Sequence, residues 1–167
     1  MPRVVIFGNT AGGKSTLARR LSRVRRLPHV EIDRLYWQPD WSVTPNEVYE
    51  AEHAEILARD DWIIDGGGTL ATVRARADRA TEIVLIDMPL WVHFWLAAER
   101  QTAWASGAIA HPPAGIAEAP PTRELFEIIW TVDRDWMPVL RALCDEHQAA
   151  GKTVSRLTSL EAVDAFA

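Results

Sequence analysis

The chain is short of sulfur, of lysine and of long apolar runs, and each shortage excludes something. Cys144 is the only cysteine in 167 residues, which rules out an internal disulfide and any thiolate-rich zinc site. No apolar run approaches the roughly 18 residues that a membrane span needs, so no membrane association is expected. His29, His53, His93, His111 and His147 show no metal-ligand spacing and are read as incidental. No Ser/His/Asp pattern marks acyl chemistry. Basic residues number 18 against 23 acidic ones, and the net charge of −5 argues against a general nucleic-acid binder. Met1-Pro2-Arg3 runs straight into an apolar strand, so the expectation is a cytoplasmic protein without a signal or transit segment.

What remains is ordinary in bulk and specific in one place. Apolar residues make up 48% and charged residues 25%, as in a globular protein with a substantial core, and the length suits one domain over 1–167. Residues 8–15 read Gly8-Asn9-Thr10-Ala11-Gly12-Gly13-Lys14-Ser15, the spacing G-x-x-x-x-G-K-[ST] of a phosphate-binding loop. Val4-Val5-Ile6-Phe7 before it suits a buried parallel strand, and Ser15-Thr16-Leu17-Ala18-Arg19-Arg20-Leu21 after it opens a helix. Glycines let successive backbone N–H groups turn inward toward phosphate oxygens, and the helix N-terminus adds partial positive charge. Lys14 is one of two lysines against sixteen arginines; its compact ammonium reaches β- and γ-phosphates, and the Ser15 hydroxyl ligates Mg²⁺.

Short apolar runs alternate with helical stretches to the end, the signature of an α/β fold. Strands are expected at 29–33, 62–65, 82–87 and 153–157 after the first. Thr44-Pro45-Asn46-Glu47 reads as a capped helix start for a helix running to about Arg59. Further helices are expected over 69–78 and 90–106. Gly107, Pro112, Pro113, Gly115, Pro120 and Pro121 make 107–121 a loop. Thr122 caps the next helix, which Pro138 should kink or break before Gly151 ends it; Ser159 caps the last.

Three of these strands end in an aspartate: Asp33, Asp65 and Asp87. In a parallel sheet all three lie at the edge where the phosphate loop lies, and Mg²⁺ takes hard oxygen ligands of this kind, usually through water. Asp65, after two isoleucines and before Gly66-Gly67-Gly68, is the foremost metal candidate. Asp87 has the form of a Walker B residue or, equally, of a structural cap. The glycine triplet lets a ligand approach the backbone closely. Tyr36, Trp37 and Trp41 either stack a base or fill volume, and Trp91 and Trp95, four residues apart, are read as core. Arg19, Arg20, Arg23, Arg25 and Arg26 read first as a solvated helix face; a polyanion patch, and with it DNA as a partner, is the other reading.

The motifs together resemble the small P-loop kinases of the adenylate-kinase group and, more closely, the DNA topology modulation (FlaR-type) proteins. The matching stretches are 8–16, Leu27-Pro28, Ile32-Asp33-Arg34-Leu35-Tyr36-Trp37-Gln38-Pro39 with Trp41, and Trp62 to Gly66. Ala77-Asp78, Ile83 to Pro89, Leu157-Thr158-Ser159 and Val163 to Phe166 complete them. This resemblance implies a P-loop NTPase three-layer sandwich: a five-stranded parallel sheet of order 2-3-1-4-5, flanking helices and a short lid. The acceptor segment would span about 34–60 and the lid about 101–122. Gly8, Asn9, Thr10, Ala11, Gly12, Gly13, Lys14, Ser15 and Thr16 would hold ATP, with backbone near Thr158 beside the adenine. Asp33 would orient the acceptor, Arg34 face its anionic group, and Trp37 and Gly66 to Gly68 line its site. Asp65 would hold a Mg²⁺ water, with Ser15 and Asp87 as further metal candidates.

The implied function is transfer of the γ-phosphoryl of Mg·ATP to a small acceptor, with a nucleoside monophosphate first. Glu31-Ile32-Asp33 and the glycine triplet also resemble shikimate-type kinases, which keeps a small-metabolite acceptor open, and a nucleotide-binding regulator linked to DNA topology is the third reading. Lids in this group supply arginines worth about 10³ or more in rate, yet 101–122 contains none. Arg100, Arg123 and Arg134 at its margins would have to serve. Asp133 and Asp135 stand where relatives are richer in arginine. Monomer and homodimer are both compatible with the sequence.

Overall fold

The computed structural model describes residues 1–109 and 118–166. Its first half contains β1 (Arg3–Gly8), α1 (Lys14–Arg25), β2 (His29–Glu31), α2 (Asp33–Tyr36), α3 (Asn46–Leu57), β3 (Trp62–Asp65) and α4 (Leu70–Arg79). Then come β4 (Glu82–Ile86), α5 (Leu90–Ala105), α6 (Thr122–Thr131), α7 (Met137–Ala149), β5 (Thr153–Leu157) and α8 (Leu160–Ala165). The strands form one sheet of order β2-β3-β1-β4-β5, every pairing parallel. The P-loop order 2-3-1-4-5 is therefore present.

β1 is central and covered on both faces, which is why its apolar residues run without interruption. Val4 and Ile6 face one layer with Leu17 and Leu21 of α1, Val92 of α5 and Val163 of α8. Val5 and Phe7 face the other, with Tyr49 and Ile56 of α3, Val73 of α4 and Met137 and Leu140 of α7. A third, smaller cluster joins Ala97 of α5 to Leu125 and Ile129 of α6, and Ala11 of the phosphate loop packs against it.

Local departures from the sequence reading have identifiable causes. β2 stops at Glu31 instead of reaching Asp33, because Ile32 gives its amide to the Asp65 carbonyl (2.8 Å) and its own carbonyl to Leu35 and Tyr36, starting a helical turn. The Thr44 cap does not form: α3 starts at Asn46 behind Pro45, with no side-chain cap bond, and Thr44 gives its amide to the Tyr36 carbonyl. Ser159 does cap α8, accepting from the Ala162 amide at 3.2 Å. At Pro138 the α-winding is interrupted, as expected, and resumes with the proline in the first turn of α7. A π-helical segment, Val132–Trp136, leads from α6 to the turn where α7 begins, and that wider winding accommodates a residue lacking an N–H.

Trp91 and Trp95 are not core residues, being 66% and 47% exposed. The inward stripe of α5 runs through Val92, His93 and Ala97; i,i+4 spacing defines a face without saying which way it points. The lid expectation falls partly on residues 110–117, outside the described ones. Its first residues, to Ala105, continue α5, and Thr122 already belongs to α6. Among the described residues no helix is long and apolar enough to cross a membrane.

Candidate functional site

Parallel register brings the candidate residues to one edge. Ile6 lies beside Asp65, Asp65 beside Glu31, and Gly8 beside Ile86. From Gly8 the chain turns through positive φ at Ala11 (62°) and Gly13 (83°) into α1. Among the described residues the amides of Ala11, Gly12 and Gly13 donate to no protein acceptor, and the first turn of α1 adds further unpaired amides. Those amides form a cradle for anionic oxygens. Lys14 lies across it, its Nζ donating to the Asn9 carbonyl at 2.8 Å. Burial pushes its ammonium below its ordinary pKa, while Asp33 and then Asp65 pull the other way.

The Ser15 hydroxyl donates to Asp65 Oδ2 at 2.5 Å, and the His29 ring nitrogen Nε2 lies 2.6 Å from the other oxygen, Oδ1. Asp65 is fully buried, so both its oxygens depend on these partners. A buried carboxylate against the loop hydroxyl is a hard-oxygen pair suited to Mg²⁺ through water. Asp33, just beyond β2, accepts from the Gly67 amide at 2.9 Å. Desolvation in the cleft raises its carboxyl above the usual range against the pull of Lys14, and solvent access at the rim tempers that rise.

The glycine triplet is shaped by its surroundings. Gly68 has φ +62°, and a Cβ there would stand 2.2 Å from the Tyr49 hydroxyl, so no other residue fits. Trp136 lies over Gly67, 3.6 Å from where a Cβ would be. Arg76, fully buried, donates Nη1 to the Gly66 carbonyl (2.8 Å) and Nη2 to the Gly67 carbonyl (2.5 Å). Its surroundings lower its pKa by burial, with Tyr49, Asp33 and Asp65 opposing.

Of the three margin arginines only Arg100 turns inward. It is half-buried, crosses the Trp104 ring at 5.6 Å, and its charge is felt at Lys14 and meets Asp33. Arg123 pairs with Glu127 on an open face, 90% exposed. There it lines a shallow groove of about 460 Å³ with Phe94, Phe126 and Trp130, apart from Lys14, Asp33 and Asp65. Arg134 pairs with the adjacent Asp135. Arg34 is held by Glu31 at 3.0 Å, and Glu31 also takes Arg19. Trp37 meets Tyr36 and Trp41 edge-on, ring centroids 4.9 and 6.0 Å away. Asp87 lies one strand beyond β1 from Asp65 and is gripped by both Nε and Nη2 of Arg141 at 2.8–3.1 Å. Thr158 is exposed after β5 at the same edge, and Thr16 is exposed on α1.

In the α1 arginine run, Arg19 binds Glu31, Arg25 binds Glu82, and Arg20 binds the carbonyls of Val163 and Phe166. Three of the five charges are thus used within the fold. His29, His93 and Arg76 were not anticipated as site residues. Arg76 left a signal, a charge at i+3 from Val73 on the apolar stripe of α4. The two histidines left none, since only tertiary register brings them to the loop.

No family model and no curated protein sequence matches this chain. Among solved structures, shikimate kinase from Bacteroides thetaiotaomicron superposes with a TM-score of 0.53 at 12% identity, covering 98% of this chain and 92% of that one. A gluconokinase from Sinorhizobium meliloti 1021 gives a TM-score of 0.47, also at 12% identity, covering 89% of this chain and 97% of that one. Together with the strand order and the loop, the shikimate kinase likeness establishes the fold as that of the small P-loop kinases.

Proposed function

We propose that the protein is a phosphotransferase that moves the γ-phosphoryl group of Mg·ATP to a hydroxyl of a small metabolite bound against the rim that Asp33 and the glycine triplet form together. The observation that carries this reading is the convergence of Lys14, Ser15, Asp65 and Asp33 at the mouth of an amide-lined loop. Loop amides and Lys14 would hold the phosphates, and Arg100 would neutralise charge developing on the equatorial oxygens. Ser15, and Asp65 through water, would hold Mg²⁺, which would neutralise phosphate charge when bound. In the transfer the acceptor oxygen bonds phosphorus, the bond to the ADP oxygen breaks, and Asp33 takes the hydroxyl proton.

A hydroxylated metabolite ranks ahead of a nucleoside monophosphate. Asp33 is anchored to the triplet at Gly67, and Arg34 is already engaged by Glu31, so the site offers a hydroxyl acceptor more readily than an extra phosphate clamp. The full-length likeness to a shikimate kinase agrees with this order. The aromatic rim at Tyr36, Trp37 and Trp41 keeps a base-bearing acceptor as second choice. On the Ile32 to Pro39 block we also read the chain as a FlaR-type member, a single cytoplasmic domain acting on small molecules. The test is ADP formation with Mg·ATP against a panel of hydroxy acids, polyols and nucleoside monophosphates. Stimulation by a hydroxylated acceptor, lost in Lys14→Ala, is expected; equal turnover with and without acceptor would make the protein an ATPase.

A further inference from the structure

His93 sits on α5, far in sequence from the phosphate loop, yet it is 1% exposed and its Nδ1 lies 2.9 Å from the Thr10 carbonyl. A carbonyl only accepts, so Nδ1 carries a proton and donates it to Thr10. Burial lowers the ring's pKa, with Lys14 assisting and the Thr10 and Met88 carbonyls and Asp133 opposing, and so favours the neutral ring. Nε2 is left buried and without a partner among the described residues. The imidazole also lies directly beneath Gly12, where a Cβ would stand 2.8 Å from Cε1. Glycine at that position is needed because the ring occupies the space.

A second tie reaches the loop from the neighbouring helix. Asn9, 1% exposed, donates Nδ2 to the Ile129 carbonyl of α6 at 3.0 Å, and its Oδ1 accepts the Thr10 amide at 2.6 Å. The Asn9 carbonyl is the one Lys14 holds. Ala11 adds an apolar contact to the α5–α6 cluster. Four consecutive loop residues, 9–12, are thus in contact with α5 or α6.

We propose that His93 is a positioning residue for the phosphate loop, its Nδ1–H setting the Thr10 carbonyl so that the loop amides stay aimed at the phosphates. This rests on reading the loop as the nucleotide site. A loop held in its binding shape loses less freedom when phosphate arrives, so the interaction acts on affinity through preorganisation without touching ligand.

The experiment compares His93→Leu, which removes the donor at similar volume, with His93→Asn, whose amide can stand where Nδ1 stood. The first readout needs no ligand: backbone ¹⁵N order parameters of residues 9–13 in the free protein. Wild type and His93→Asn should remain near about 0.85, and His93→Leu should fall toward about 0.6. The second is calorimetric affinity for Mg·ADP, expected to weaken about tenfold in His93→Leu and to recover in His93→Asn. In turnover the KM for ATP should rise more than kcat falls. Unchanged loop order in His93→Leu, or equal impairment in both variants, overturns the proposal. A looser loop in His93→Leu, with wild type binding no nucleotide, supports the positioning role while removing the nucleotide reading.

Discussion

Ser15 Oγ and Asp65 Oδ2 stand 2.5 Å apart, so the first turn of α1 and the last residue of β3 meet through one proton. If Mg²⁺ is held here, Asp65→Asn weakens its hold about ten- to a hundredfold. A Mg²⁺ titration of ADP formation checks this: the variant should need correspondingly more metal. An unchanged midpoint removes Asp65 from the metal site.

Arg100 and Arg123 flank the same segment but face different surroundings, which separates their expected effects. Arg100→Ala should lower kcat by about 10²–10³. Arg123→Ala, losing only an exposed pair with Glu127, should stay within about twofold. Steady-state rates with saturating ATP decide between them, and a reversed order would mean that Arg123 reaches the site in the working state.

Arg76 stabilises by satisfying two backbone carbonyls that no other described residue reaches. Arg76→Met keeps much of the volume and leaves both oxygens unpaired, at a cost of about 2–4 kcal/mol. Urea unfolding should show the midpoint fall with an unchanged slope.

His53 is buried against Tyr49, and desolvation, helped by Arg76, pushes its pKa down to about 4 from 6.5. Between those two values the unfolded chain binds a proton that the folded chain refuses. The stability gained from a neutral His53 is complete above pH 6.5, declines as the pH falls, and is exhausted below about 4. The loss is of order 3 kcal/mol. Urea midpoints at pH 7.5 and 5 should differ more in wild type than in His53→Gln.

The phosphate loop, the β1, β3, β4 and β5 positions and the α/β class were legible because each is written in contiguous residues. Gly8 to Ser15 is a local pattern, and buried parallel strands read as plain apolar runs. That Asp33 and Asp65 lie at one edge was legible from the parallel sheet, although Asp33 stands in the helical turn just past β2 and not at the strand end itself. The remaining features depend on contacts between distant segments. His29 becomes a partner of Asp65 only when β2 lies beside β3, and His93 meets Thr10 only when α5 crosses under the loop. Thr44 carried the right residue type for a cap, but the chain used its backbone in pairing with Tyr36. Trp91 and Trp95 were misplaced because hydrophobicity alone does not orient a helix whose other side is also apolar.

The π-helical turn at Val132–Trp136 makes the distance from Ile129 to Arg141 a counted length. Ile129 anchors Asn9 at one end, and Arg141 clasps Asp87 at the other. A single π turn holds one residue more than α-winding, so excising one residue within it would let it relax without turning α7, whereas an excision between Met137 and Arg141 would swing everything downstream by about 100°. In the second case Arg141 would miss its aspartate, so residues 137–140 tolerate exchange of side chains far better than a change in their number.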